Sequence, residues 1–73
     1  MSSLNERIKE LRKSKNHTQK QLAEILNVRS EAIQTFEYGT RRPGLDNIIT
    51  LADYFGVSVD YLLGRTDNPN INK

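Results

Sequence analysis

Few side chains in this sequence have the chemistry that catalysis or metal binding requires. The chain has no cysteine and a single histidine, His17, so neither a thiolate site nor a cluster of histidine ligands can form. Its 73 residues contain no glycine-rich phosphate loop and no recognisable pairing of a nucleophile with a base. A chain of this length forms one domain with a modest core. We therefore expect no enzymatic activity, no cofactor and no bound metal.

Charged side chains, in contrast, are numerous and unevenly distributed. Residues 1–44 carry nine Lys or Arg and five Glu, a net charge of +4. Residues 45–73 carry two cations and four Asp, a net charge of −2. A basic half next to an acidic half indicates one surface for a polyanion and another for a different contact. A solvated surface of mixed charge is the alternative, and the charges alone favour neither.

Turn-forming residues divide the chain into five short segments, and none of them alternates apolar and polar residues with the period of a strand. Ser3 with Glu6, and Thr18 with Gln21, have the spacing of capping boxes that begin helices. The sequence therefore predicts an all-α domain of five short helices. The predicted helices are 4–13, 18–26, 30–38, 45–55 and a short one that follows Ser58.

The fourth helix and the C-terminal segment carry two further expectations. A period of 3.6 residues predicts an apolar face of the fourth helix made of Leu45, Ile48, Ile49, Ala52 and Phe55, with Leu51 beside it. After Gly64 the chain is polar and contains Pro69, so we expect a domain of residues 1–64 and a flexible tail of residues 65–73.

Targeting and membrane signals are not visible in the sequence. No apolar run approaches the roughly 18–20 residues that cross a bilayer. The first residues also do not have the charged and then apolar pattern of a signal peptide. We therefore expect a cytoplasmic protein without membrane contact.

The second and third segments differ in the width of their apolar faces. The second presents Leu22, Ala23 and Leu26, whereas the third has only Ile33 and Phe36 as large apolar residues in its interior. Residues 27–29 join the two. One helix that packs against the core, followed by a helix with a free polar face, is the arrangement of a helix-turn-helix. Its second helix lies in the major groove of DNA.

The order of residues in this region resembles the Cro/C1-type helix-turn-helix regulators, an XRE-like family that includes phage repressors. The motif reads Thr18-Gln19-x-x-Leu22-Ala23-x-x-Leu26-x-Val28, then Ile33-x-x-Phe36-Glu37-x-Gly39, then Arg42-Pro43. The stretch from Leu51 to Leu63 continues the match, which covers about residues 4–64. The resemblance implies a lambda-repressor-like fold and a sequence-specific transcriptional regulator, most readily a repressor, that binds double-stranded DNA. The alternative is a protein-interaction module with the same fold, antitoxin-like or an adaptor.

The resemblance also implies roles for individual residues. The candidate base contacts, on the outward face of the third helix, are Ser30, Glu31, Gln34 and Thr35. The candidate phosphate contacts are Thr18, Gln19, Lys20, Arg29, Tyr38, Arg41 and Arg42. Arg12 and Glu37 match positions that form a partly buried salt bridge in some repressors.

Three positions depart from the family pattern. Arg29 stands where a Ser- or Thr-type cap is usual, so either the third helix begins less firmly or Ser30 becomes the cap. Glu31 brings an acid towards the groove, where it either accepts a hydrogen bond from cytosine or is a first-turn acid favoured by the helix dipole. His17 replaces an apolar residue, and we expect it to be a structural histidine rather than a pH sensor.

A monomer of this size contacts one half-site, whereas specific binding usually comes from a twofold dimer. We therefore expect a homodimer on a palindromic operator, formed through the end of the domain where the fourth and fifth helices lie. Tyr61 is the candidate dimer contact; alternatively, Tyr54 and Tyr61 only close the core. A contact with RNA polymerase is a further expectation.

Overall fold

The computed structural model describes residues 3–70. The five helices that it contains are α1 (Leu4–Ser14), α2 (Gln19–Leu26), α3 (Ser30–Tyr38), α4 (Leu45–Phe55) and α5 (Val59–Leu62). They follow the predicted segments closely, except that α1 is one residue longer and Thr18 lies before α2 as its N-cap. The prediction of an all-α domain with five short helices is confirmed. No helix in residues 3–70 is long and apolar enough to cross a membrane.

Hydrogen bonds define both ends of α2, and those at its C-terminal end form the turn that leads to α3. At its start, Thr18 Oγ1 accepts from the Gln21 N–H (3.1 Å) and Gln21 Oε1 accepts from the Thr18 N–H (2.7 Å). At its end, Asn27 adopts the left-handed conformation (φ 57°), and the Val28 N–H donates to the Ala23 carbonyl (2.9 Å). Asparagine tolerates this conformation better than most residues, so the chain turns at once and α3 begins three residues later.

Every helix contributes one side chain to the centre of a single core. These five fully buried residues are Ile8, Leu22, Ile33, Leu51 and Leu62. Removing each of them from water contributes about 1.5–3 kcal/mol to folding. Because the five lie in one cluster, the position of α3 depends on its packing against the other helices.

The predicted buried face of α4 is wrong at two residues. Leu45 is 69% exposed and Ile49 is 44% exposed, whereas Leu51 and Ala52 are buried. Ile48 and Phe55 pack against the same core. The four residues 48, 51, 52 and 55 have the i, i+3, i+4, i+7 spacing of one helical face, and this face, rather than the one with Ile49, meets the core.

The described part of the C-terminal segment lies against the domain. The Ser58 N–H donates to the Pro69 carbonyl (3.0 Å), and Asp67 Oδ1 accepts from Arg7 Nη2 (2.7 Å). Arg7 is only 4% exposed, and its guanidinium lies 3.8 Å from the centre of the Tyr61 ring. Such contacts restrict the motion of the described part of the tail. The flexibility of the tail and the domain boundary at residue 64 both stay predictions. Residues 1–2 of the predicted domain and 71–73 of the predicted tail lie outside the described residues.

Candidate nucleic-acid interface

Helix α3 presents a polar face to solvent along its length. Its buried residues are Ile33 and Phe36, which lie on one edge. Glu31 and Gln34 are exposed, and Tyr38 is 85% exposed. A helix buried along one edge can enter a groove about 12 Å wide, which is the width of the major groove of DNA.

The four candidate base contacts differ in how far their hydrogen-bonding groups are already engaged. The Thr35 hydroxyl donates to the Ala32 carbonyl (2.7 Å), and the Ser30 hydroxyl donates to Glu31 Oε1 (2.9 Å). The amide of Gln34 is exposed and has no hydrogen-bond partner within residues 3–70. A glutamine amide can pair with adenine through two hydrogen bonds. Gln34 is therefore the candidate whose polar groups are most available to a ligand.

Glu31 serves the beginning of α3. Hydrogen bonds from its own backbone N–H and then from the Ser30 hydroxyl lower the pKa of its carboxyl below the ordinary 4.5. The group is therefore a carboxylate at neutral pH, next to the positive end of the helix dipole. This geometry favours the first-turn interpretation of Glu31, and its contact with cytosine stays a prediction.

The N-cap of α3 is Arg29, and its side chain makes no capping hydrogen bond. The alternative in which Ser30 becomes the cap is wrong, because Ser30 is the first helical residue and its hydroxyl bonds to Glu31. The beginning of α3 therefore has no side-chain cap of the kind that Thr18 supplies to α2.

Arg12 and Glu37 form the ion pair that the resemblance implies. Arg12 Nε lies 2.6 Å from Glu37 Oε2, and Nη2 lies 3.1 Å from Oε1. The two side chains are only 12% and 5% exposed. Glu37 Oε1 also accepts from Gln19 Nε2 (3.2 Å), and Arg12 Nη1 donates to the His17 carbonyl (2.9 Å). The pair thus links α1, the beginning of α2 and the end of α3, and it fixes the orientation of α3.

The side chain of His17 packs against the acidic half of the chain. Its Nε2 lies 2.6 Å from the Tyr54 hydroxyl, and the two ring centres are 5.7 Å apart. Lys15 Nζ lies 5.2 Å from the centre of the same tyrosine ring. These contacts support a structural role for His17, because they join the α1–α2 connection to α4.

Two depressions lined in part by lysine and arginine side chains flank the exposed face of α3. One lies between α1 and α3, and its lining residues are Lys9, Arg12, Lys13, Gln19, Gln34, Glu37 and Tyr38. The other lies beside the start of α3, and its lining residues are Arg29, Glu31, Ala32, Thr35 and Arg41. The two lysines of α1 were not among the sequence candidates, although their i, i+4 spacing and the position of Arg12 between them could have pointed to this surface.

Lys20 and Arg42 are exposed, and Arg42 lines a small depression with Arg41 beyond the end of α3. Thr18 is also exposed, although its hydroxyl oxygen already accepts the capping hydrogen bond. Tyr61, the candidate dimer contact, is half-buried because its ring covers the guanidinium of Arg7.

A sequence model described as helix-turn-helix matches residues 8–62, which include α2, the turn and α3. The chain belongs to this helix-turn-helix family. The Cro/C1-type resemblance is thereby confirmed.

Two relatives in this helix-turn-helix family come from Bacillus subtilis strain 168. Over 65 residues the chain is 38% identical to the uncharacterized HTH-type transcriptional regulator YobD, covering 89% of this chain and 58% of YobD. Over 65 residues it is also 38% identical to the HTH-type transcriptional regulator ImmR, covering 89% of this chain and 51% of ImmR. The chain thus spans about half the length of the curated relatives that it matches.

The helix-turn-helix domain is also similar to a solved structure, the P22 c2 repressor protein in complex with a synthetic operator. The two structures share 30% sequence identity and a TM-score of 0.80, covering 86% of this chain and 96% of the other. The predicted lambda-repressor-like fold is therefore confirmed.

Proposed function

We propose that this chain is a sequence-specific DNA-binding regulator whose α3 lies in the major groove. The proposal rests on the surface of α3. Its exposed polar face is flanked by two depressions that are lined by lysine and arginine side chains. A helix in the major groove has base edges before it and phosphates on both sides. The similar P22 c2 repressor, solved in complex with an operator, supports the same ligand.

The most direct mechanism is steric repression. Gln34, together with Ser30, Glu31 and Thr35, reads base edges, while the cationic side chains hold phosphates and fix the register of α3. Bound in this way, the domain occupies the groove that polymerase needs. Such a regulator works in the cytoplasm, where its operator is, and a direct contact with RNA polymerase would add to the effect.

The proposed regulator acts as a homodimer on a palindromic operator. One domain presents one reading helix, so a second copy is needed to read a second half-site about 34 Å away along the duplex. Leu45 and Ile49 form an exposed apolar pair on α4, at the end of the domain where dimerisation was predicted. Apolar side chains of this kind gain most from being covered by a partner. Tyr61 contributes through the part of its ring that Arg7 leaves exposed.

Selection from a library of random duplexes tests the proposal. The chain is incubated with the library at about 50 mM salt, where phosphate contacts are strong. A parallel selection without protein identifies sequences that amplify by themselves. We expect a palindrome with two related half-sites about one helical turn apart. If no duplex is enriched over the control, the chain is not a DNA-binding regulator, and the interaction-module alternative replaces it.

A further inference from the structure

We propose that Lys9 and Lys13 of α1 bind backbone phosphates along one side of the groove that α3 enters. The inference rests on the proposed function and adds to it a row of phosphate contacts outside the helix-turn-helix. The two lysines line the same depression as Gln34 and Tyr38 of α3. A phosphate strand beside Gln34 would therefore pass over α1.

The geometry of α1 places both lysines on one surface. Lys9 and Lys13 are one turn apart, so their side chains emerge from the same face of the helix. Both are exposed, and in the described part of the chain neither lies within ion-pairing distance of a carboxylate. Their ammonium groups are therefore available to an anion that approaches α3.

Charge compensation explains why the lysines, rather than Arg12, bind this strand. Arg12 lines the same depression, but its guanidinium is largely buried and bonded to Glu37 through two nitrogens. That pair contributes little net charge to the surface. The uncompensated positive charge of the depression is carried by Lys9 and Lys13.

The second depression places cationic side chains on the other side of α3 as well. Glu31, Ala32 and Thr35 of α3 line it together with Arg29 and Arg41. Gln34 and Tyr38 line the first depression, so the two depressions border opposite edges of the exposed face of α3. The major groove is bordered by two phosphate strands. Arg29 and Arg41 face one strand, and the lysines of α1 face the other.

The salt dependence of DNA binding tests this assignment. The variants Lys9→Ala and Lys13→Ala are compared with wild type on the selected duplex and on a random-sequence duplex between 50 and 200 mM salt. Losing one phosphate contact lowers the slope of log affinity against log salt by about 0.9. Each variant should therefore lose about 3.5-fold less affinity than wild type over this four-fold range of salt. At 50 mM it should bind both duplexes more weakly than wild type by the same factor.

Arg65→Ala is the matched control, because it removes one exposed positive charge from the region beyond α5. It should keep the wild-type slope. Far-UV circular dichroism and the urea midpoint verify that each variant is folded, and exposed Lys→Ala changes within a helix are well tolerated.

Three results would overturn the inference. If folded lysine variants keep the wild-type slope, the phosphates lie elsewhere and the proposed function still stands. If the variants weaken binding to the selected duplex alone, the lysines contact bases instead of phosphates. If wild type binds no duplex at all, the proposed function fails and this inference fails with it.

Discussion

Glu37 connects α3 to α1 and to the beginning of α2 through its carboxylate. Its two carboxylate oxygens accept hydrogen bonds from Arg12 Nε, Arg12 Nη2 and Gln19 Nε2. Because the side chain is only 5% exposed, water cannot replace these donors. Its carboxylate therefore holds α3 against α1 and the beginning of α2.

A double-mutant cycle measures this pair. Glu37→Leu leaves the largely buried charge of Arg12 without its carboxylate, and it should lower the free energy of unfolding by about 3–5 kcal/mol. The double variant Arg12→Met with Glu37→Leu leaves no buried charge there and should be less destabilised than Glu37→Leu alone. Urea denaturation of Arg12→Met, Glu37→Leu and the double variant gives the three values that the cycle needs. Additive losses would show that the two side chains do not interact.

The sequence identified this pair only through the resemblance, since residues 25 positions apart carry no local signal of contact. It also placed Ser30, Glu31, Gln34 and Thr35 on the third helix, where the structure has them, and their base contacts stay a prediction. It did not reveal that the Thr35 hydroxyl bonds to Ala32 or that Ser30 bonds to Glu31. Such bonds depend on side-chain rotamers, which composition and spacing do not determine.

At the scale of the helices, Arg29 is both the N-cap residue of α3 and a residue that lines the depression beside it. The residue has the backbone conformation of an N-cap, with φ −79° and ψ 152°, but its side chain makes no capping bond. Its guanidinium instead lines the depression beside α3, where we propose a phosphate contact. The side chains that cap helices are shorter and carry no positive charge. Helix stability and phosphate binding therefore favour different residues at position 29.

Two substitutions at position 29 separate helix stability from phosphate binding. Arg29→Ser and Arg29→Ala both remove the charge, but only serine can cap the helix. We expect Arg29→Ser to be more stable than Arg29→Ala by about 0.5–2 kcal/mol in thermal or urea unfolding. Both should bind DNA more weakly than wild type and to the same extent. Equal stabilities would argue against an uncapped helix, and wild-type affinity would remove Arg29 from the phosphate contacts.

Helix bounds were largely predictable because local signals specify them. Thr18 with Gln21 marks the start of α2, and Asn27 marks its end, as the structure has them. The buried face of α4 was less predictable, because apolar residues at 45, 48, 49, 51, 52 and 55 satisfy more than one helical stripe. Contacts with the other helices select among them, and those contacts are not local.

At the scale of the whole molecule, some cations of the basic half border α3, and other residues of that half contact the acidic half. Lys9, Lys13, Arg29 and Arg41 border α3, whereas Asp67 turns back onto α1 and pairs with the buried Arg7. The sequence predicted Arg29 and Arg41 at this surface only through the family resemblance, and it did not identify Lys9 and Lys13. It also did not predict the pair of Asp67 with Arg7, because a polar segment that contains Pro69 carries no local sign of a partner 60 residues away.

Affinities across a set of operators distinguish base readout by α3 from phosphate binding by the cationic side chains around it. Wild type, Gln34→Ala and Arg42→Ala are titrated at one salt concentration. The duplexes are the selected site and its single base-pair variants. Arg42→Ala should weaken binding to every duplex by the same factor. Gln34→Ala should lose about 1–3 kcal/mol of discrimination at one position in each half-site and little elsewhere. Uniform weakening by Gln34→Ala, with unchanged base preference, would show that Gln34 does not read a base and would contradict base readout by α3.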